Sequence, residues 1–218
     1  MTVTIESRIP KLESSATKER RTVTRPIEVR KNEAGATIIS GHAAVFYRAG
    51  DAETVYALWS DFEERIMPGA FDAALQRKDD TRALFNHDVS LILGRTEAGT
   101  CVLSVDKIGL RFEVTLPGSD IGQRVAEAVQ RGDITGCSFS FTADKQSWIE
   151  EKQADGSTLT IREISDVTLY DVGPVTFPAY EGTDVSVAKR SLGDWSRSRR
   201  KSLRDRALRR LRVMGLRL

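Results

Sequence analysis

Period-two alternation of apolar and polar residues dominates the chain from Val23 onward, which predicts a mainly β protein. Val23, Ile27 and Val29 share one face of a first run, and Ile38 and Ile39 open a second beyond a hairpin turn at Gly35. Gly41-His42-Ala43-Ala44-Val45-Phe46 continues that second run. Residues 48–60 read as a loop of small and charged residues. A short strand at 62–66 ends at Pro68-Gly69, and residues 70–76 have helical spacing, with Phe71 and Leu75 four apart. Strands follow at 82–85, 91–95 and 101–105. Then Leu110, Phe112, Val114 and Leu116 alternate with Arg111, Glu113 and Thr115. A second helix is marked by Ile121, Val125 and Val129 with Ala128 beside them; Asp120 and Gln123 form a capping pair and Gly132 the stop. Further strands are read at 134–143 and 148–150, then a turn at Asp155-Gly156, then strands at 158–164 and 167–175. The last strand is the most apolar and ends before Pro178. The order predicts an α+β fold, mainly β and barrel-like, with two helices.

Charge divides the chain. Its 218 residues carry a formal net charge of +2. Residues 196–218 hold nine arginines and one lysine against one aspartate, about +9, which leaves about −7 on the remainder. The reading is a mobile polar leader over 1–22, one globular domain over 23–190, and a basic tail over 191–218. Leu203, Leu208, Leu211 and Val213 recur near helical spacing in that tail, so it reads either as a basic amphipathic helix or as a solvated extension. No apolar stretch reaches the length of a membrane span and the N-terminus lacks the apolar core of a secretory signal, so a soluble, cytosolic protein is expected. Cys101 and Cys137 match no zinc spacing and make no disulfide framework. His42 and His87, 45 positions apart, offer no ligand cluster, and no phosphate-binding glycine loop occurs, so neither metal nor cofactor is expected.

The scarcity of histidine narrows the candidate chemistry. His87 stands in Leu84-Phe85-Asn86-His87-Asp88, at a predicted strand end, where a scaffold can hold a catalytic base. The alternative is an exposed loop histidine. His42 lies inside an apolar strand run and reads as structural. In Gly136-Cys137-Ser138-Phe139-Ser140-Phe141, alternation puts Ser138 and Ser140 on one face and the phenylalanines on the other. Gly136 leaves the backbone room for an oxyanion or a substrate. The motif is not the glycine-flanked elbow of α/β-hydrolases. Asp171 interrupts an apolar run, where a carboxylate must be paired or face water. It could orient a histidine; Glu163 and Asp166 are rivals in a more polar stretch.

Several ordered segments together resemble the prohead maturation proteases of tailed bacteriophages. They are Ile39-Ser40-Gly41-His42-Ala43-Ala44-Val45-Phe46, Phe62-Glu63-Glu64-Arg65-Ile66-Met67-Pro68-Gly69-Ala70-Phe71, and Phe85-Asn86-His87-Asp88. Leu93-Gly94-Arg95-Thr96, Gly109-Leu110-Arg111-Phe112-Glu113-Val114, the Ser138 motif, and Asp171-Val172-Gly173-Pro174-Val175-Thr176-Phe177-Pro178-Ala179 follow in order. The resemblance implies a fold like the herpesvirus assemblins, a closed β-barrel surrounded by a few helices. It implies a serine endopeptidase that acts in the host cytoplasm, inside the assembling prohead, on the scaffold protein or the scaffold-like segment of the major capsid protein, and on itself. By motif, Ser138 becomes the nucleophile and His87 the general base. Asp171 falls where the family usually has an acid, often Glu, with Glu163 still a rival for the third position. Oxyanion donors are expected among backbone N–H groups near Ser138 or in the Gly94-Arg95 turn. The family commonly has Gly where Ser140 stands and Tyr where His42 stands, which supports a structural role for His42. A homodimer is left open by the assemblin likeness. No membrane partner is expected, and nucleic-acid binding would rest on the tail alone. The competing class is a scaffolding module of the capsid with a dead site.

Overall fold

The structure is a computed structural model that describes residues 17–178 and 185–213. The strands, in chain order, are β1 (Glu19–Thr24), β2 (Glu28–Lys31), β3 (Thr37–Val45), β4 (Tyr56–Trp59), β5 (Phe62–Ile66), β6 (Arg82–Leu84), β7 (Ile92–Arg95), β8 (Cys101–Val105), β9 (Gly109–Thr115), β10 (Gly136–Lys152) and β11 (Thr158–Val175). The helices are α1 (Asp72–Arg77), α2 (Asp120–Gln130) and α3 (Val185–Val213). Strands outnumber helices as the alternation predicts, and the class is α+β.

The strands form a 7-stranded mixed sheet, ordered β1-β10-β11-β5-β4 with β6 and β7 attached beside β11, and a 4-stranded antiparallel sheet, β2-β3-β9-β8. Among the described residues the expected closed barrel is not formed. Neither sheet pairs its last strand with its first, and β1 and β4 end their sheet as edges. The physical reason lies on the far side of β11, which takes two short parallel partners in succession. β5 pairs along 160–164 and β6 along 171–172. The sheet therefore forks beyond β11 into β5-β4 and β6-β7, and among the described residues neither branch returns to pair with β1.

The runs read as separate strands at 134–143 and 148–150, and at 158–164 and 167–175, are two continuous strands of 17 and 18 residues. They form one long hairpin through a turn in which Gly156 is left-handed, at φ 85°. The polar interruptions sit on register shifts, where Lys145 pairs with Asp166 at 2.5 Å instead of facing the core. The run from Val23 to Val29 is also redistributed. Pro26, which has no N–H to donate, separates β1 and β2 into different sheets. The loop read at 48–60 contains a short 3₁₀ turn over Ala52–Thr54 and β4. The N-cap of α2 is Ser119, one residue before the expected Asp120, which is the first helical residue, and Gln123 Nε2 donates to the Gly118 carbonyl at 3.1 Å.

The core lies between the sheets and is closed by α1 and α2. Phe71 sits 5.6 Å from Phe139 edge-on and 5.8 Å from Phe46, and Phe139 stacks on Phe141 at 4.8 Å. Each ring is almost fully buried, and aromatics of this size dominate core energetics.

Both termini are more structured than the division at residues 22 and 190 expects. Residues 19–22 belong to β1, where Glu19 and Arg21 turn inward and are buried. The boundary at 190 falls inside α3. This helix buries Val187, Ala188, Ser191 and Trp195, and Trp195 stacks on Trp148 at 5.4 Å. Arg199 forms an ion pair with Glu150. Residues 1–16 of the expected leader, 214–218 of the tail, and Ala179 of the last motif lie outside the described residues. Among the described residues no helix is long and apolar enough to cross a membrane.

Candidate active site

Burial of Phe139 and Phe141 fixes which way β10 faces. With both rings in the core, alternation turns Ser138 to the other face of the sheet, and a slip of one residue would exchange them. Ser138 lies opposite Gly173 of β11, and Ser140 lies opposite Asp171.

On β11 strict alternation would place Asp171 with Val167 and Leu169, which are core residues. The pairing steps from Ser140↔Asp171 to Phe141↔Leu169, so Tyr170 is an extra residue on β11. Such a bulge reverses the facing of everything beyond it. It sends Val172 into the core and brings Asp171 and Gly173 to the face that carries Ser138.

The end of β6 delivers the histidine. β6 runs parallel to β11, with Arg82 beside Asp171 and Ala83 beside Val172. Next, Asn86 and His87 both adopt left-handed backbone conformations, at φ 53° and 58°. His87 then reaches over Gly173 toward β10. A Cβ on Gly173 would lie 2.0 Å from the Leu84 carbonyl oxygen, so only glycine allows β6 this close.

The three side chains meet. His87 Nε2 is 2.7 Å from Ser138 Oγ, and His87 Nδ1 is in a short hydrogen bond with Asp171 Oδ1. A carboxylate can only accept, so Nδ1 carries the ring proton and Nε2 is left as an acceptor facing the serine. The main-chain carbonyl of Arg21, on β1, is a second acceptor within reach of Ser138 Oγ, at 3.0 Å. The hydroxyl has one proton and two acceptors, Nε2 and this carbonyl, so donation to one excludes the other. Ser138 is 1% exposed, and the side chains of His87 and Asp171 are 10% and 12% exposed. The constellation is therefore largely shielded from water, which strengthens its electrostatic interactions.

Neighbouring groups are engaged elsewhere. Asp88 accepts from Ser90 N–H at 2.8 Å and Ser90 Oγ at 2.6 Å, and these bonds, the side-chain one foremost, lower its pKa. Glu163 bonds Ser147 Oγ at 3.1 Å and lies eight residues before Asp171 on β11. At the rise of an extended strand that separation is about 26 Å. The structure thus brings His87, Ser138 and Asp171 together and leaves Glu163 apart. Asp166 pairs with Lys145. His42 bonds Asp106 at 2.9 Å, in the other sheet. The Arg95 N–H, a considered oxyanion donor, is bonded to Thr100 Oγ1 at 2.9 Å, on a strand separated from β10 by β6 and β11. Burial pushes the Cys137 thiol well above its ordinary pKa and that of Cys101 up to about 12, so both thiols resist ionisation.

Two groups at the site carry no signal in the sequence. A main-chain carbonyl such as that of Arg21 is present at every residue and acquires a role only through pairing. Gly173 reads as an ordinary strand glycine until its close approach to β6 is seen.

β1 is held by ions. Arg21 Nε and Nη2 donate to Glu64 at 2.6 and 2.9 Å. Arg162 Nη1 donates to Glu64 and Glu19 at 2.7 Å each, and its Nη2 to Glu19 at 2.8 Å. All four side chains are at most 3% exposed. Burial opposes ionisation of Glu64, but the two guanidinium groups outweigh it and lower the carboxyl pKa. This neutral quartet anchors the strand whose carbonyl touches Ser138.

A comparison with curated protein sequences yields no match. Among solved structures the chain is similar to the capsid assembly protease of bacteriophage T4, with 12% identity and a TM-score of 0.44, over 75% of this chain and 99% of that one. The model of the caudovirus prohead serine protease family matches residues 25–197. That match begins just after β1, contains His87, Ser138 and Asp171, and extends past Trp195 in α3. Since it takes in most of the sequence, the chain belongs to the caudovirus prohead serine proteases.

Proposed function

We propose that this capsid maturation protease works by acyl transfer through Ser138, His87 and Asp171. Ser138 Oγ attacks a peptide carbonyl while His87 Nε2 takes its proton. A tetrahedral intermediate forms; its collapse expels the amine, which receives that proton from His87. Water then repeats the sequence on the acyl-enzyme, with the same base, and releases the acid. Asp171 holds the Nδ1–H tautomer and stabilises the imidazolium. The observation that carries this reading is the continuous hydrogen-bonded line from Ser138 Oγ through both ring nitrogens of His87 to Asp171.

The substrates are the scaffold protein or the scaffold-like segment of the major capsid protein, cut inside the assembling prohead, together with the enzyme's own leader and basic tail. The test is co-expression with the major capsid protein, followed by intact-mass measurement of every species. Wild type and the Ser140→Ala variant should give the same defined truncations, and Ser138→Ala and His87→Ala none. Proheads with identical masses in wild type and Ser138→Ala would overturn the assignment and favour a scaffolding role.

A further inference from the structure

We infer that Asn86 is a positioning residue for His87, acting through a clamp onto Thr176. The inference rests on the reading of Ser138, His87 and Asp171 as the reacting group. Two consecutive residues other than glycine in the left-handed region, Asn86 at φ 53° and His87 at φ 58°, are uncommon and persist only where the surroundings hold them.

Two sets of bonds hold them: the Asp88 N–H closes the turn onto the Phe85 carbonyl at 3.0 Å, and Asn86 itself reaches residues 88 to 90 positions away in the chain. The Asn86 main-chain N–H donates to the Pro174 carbonyl at 3.1 Å. Its side-chain Oδ1 accepts from the Thr176 N–H at 2.8 Å, and its Nδ2 donates to Thr176 Oγ1 at 3.0 Å. The ladder between β6 and β11 ends at Val172↔Ala83. Beyond it the Asn86 amide behaves as one more peptide unit, an acceptor and a donor set against the end of β11. The clamp closes around Gly173-Pro174, the stretch over which His87 crosses to Ser138. An asparagine suits the position twice, because it tolerates the left-handed region and because its amide carries both hydrogen-bonding roles. The Asp88 side chain, by contrast, bonds within its own turn, to Ser90.

The clamp's function is to keep the imidazole in line between Ser138 and Asp171. Without it the 86–87 turn keeps its own Asp88–Phe85 bond but is no longer tied to the end of β11, which swings the ring off Ser138. Backbone preference and clamp are separable, since glycine adopts the left-handed region freely but has no amide.

The experiment compares full-length wild type with Asn86→Gly, Asn86→Ala, Asn86→Asp and Ser138→Ala. The first readout is the rate of Ser138 labelling by a fluorophosphonate across pH. Asn86→Gly and Asn86→Ala should both label about tenfold more slowly, with a displaced pH–rate midpoint and nearly unchanged melting. Asn86→Asp, which still accepts from the Thr176 N–H, should recover part of the rate. An Asn86→Gly variant as fast as wild type overturns the inference.

The second readout is the downfield Nδ1 proton of His87 by NMR, assigned against a His42→Gln variant. It should be sharp in wild type and broadened by exchange in Asn86→Gly; an unaltered signal there also overturns the clamp. If wild type labels no better than Ser138→Ala, the reading of the triad fails, and the Nδ1 signal still decides the clamp.

Discussion

Replacing Glu64 with glutamine removes one charge from the buried quartet while preserving size. In the native protein the Glu64 carboxylate accepts three N–H bonds, two from Arg21 and one from Arg162, at 2.6 to 2.9 Å. A glutamine keeps one acceptor oxygen and turns an NH₂ group against guanidinium donors. The quartet is left with an excess positive charge where side chains are at most 3% exposed. Removing one partner of a buried pair costs about 3–5 kcal/mol. For a domain of this size each kcal/mol moves the melting temperature by about 2–4 °C, so the variant should melt roughly 6–20 °C lower at pH 7. The sign of the pH dependence follows from the lowered pKa. The Glu64 carboxyl ionises below its ordinary value of 4.5 in the folded protein. Its stabilisation is therefore present above pH 4.5 and lost as pH falls through the folded-state value. Thermal unfolding followed by circular dichroism from pH 7 to pH 3 measures both effects. The gap between wild type and Glu64→Gln should close at the acid end. A variant melting within about 2 °C of wild type at neutral pH, with no convergence in acid, would refute the claim that the quartet holds β1.

Other perturbations address the site and the helix that follows. Asp171→Asn presents an amide donor to His87 Nδ1 and favours the wrong tautomer, so turnover should fall on the order of 10³–10⁴-fold with little change in melting. Unchanged turnover would remove Asp171 from the mechanism. Gly173→Ala sets a Cβ 2.0 Å from the Leu84 carbonyl oxygen, so β6 must separate from β11. Slower fluorophosphonate labelling of Ser138 and a lower melting temperature are expected, and wild-type values for both would contradict the close approach. Deleting residues 196–218 keeps Trp195 on Trp148 but removes about +9 of charge. Incorporation into proheads should drop, and added salt should weaken incorporation of the full-length chain. Equal incorporation of both forms would show the basic segment to be dispensable.

The pattern of residues determined the class of this protein and pointed to most of the pieces of its candidate site. Alternation at Leu110, Phe112, Val114 and Leu116, and at Phe139 and Phe141 against Ser138 and Ser140, is a local property of an extended chain, so the β character and the facing of the serine could be read directly. The scarcity of histidine and the order of the motifs pointed to His87, Ser138 and Asp171. Three features depended on tertiary structure. The extra residue at Tyr170 reverses the facing of β11, and no alternation rule anticipates it, because a bulge is settled by pairing with a partner strand. The inward turn of Glu19 and Arg21 looked like a polar leader in sequence, since their charges are buried only through Glu64 and Arg162, 43 to 143 residues away. The open sheets, and the meeting of His87 with Ser138 across Gly173, follow from which strands share the flank of β11. Side-chain periodicity records which face of a strand is buried; which strand lies beside it is decided by long-range packing and hydrogen bonding, and periodicity carries no record of that choice.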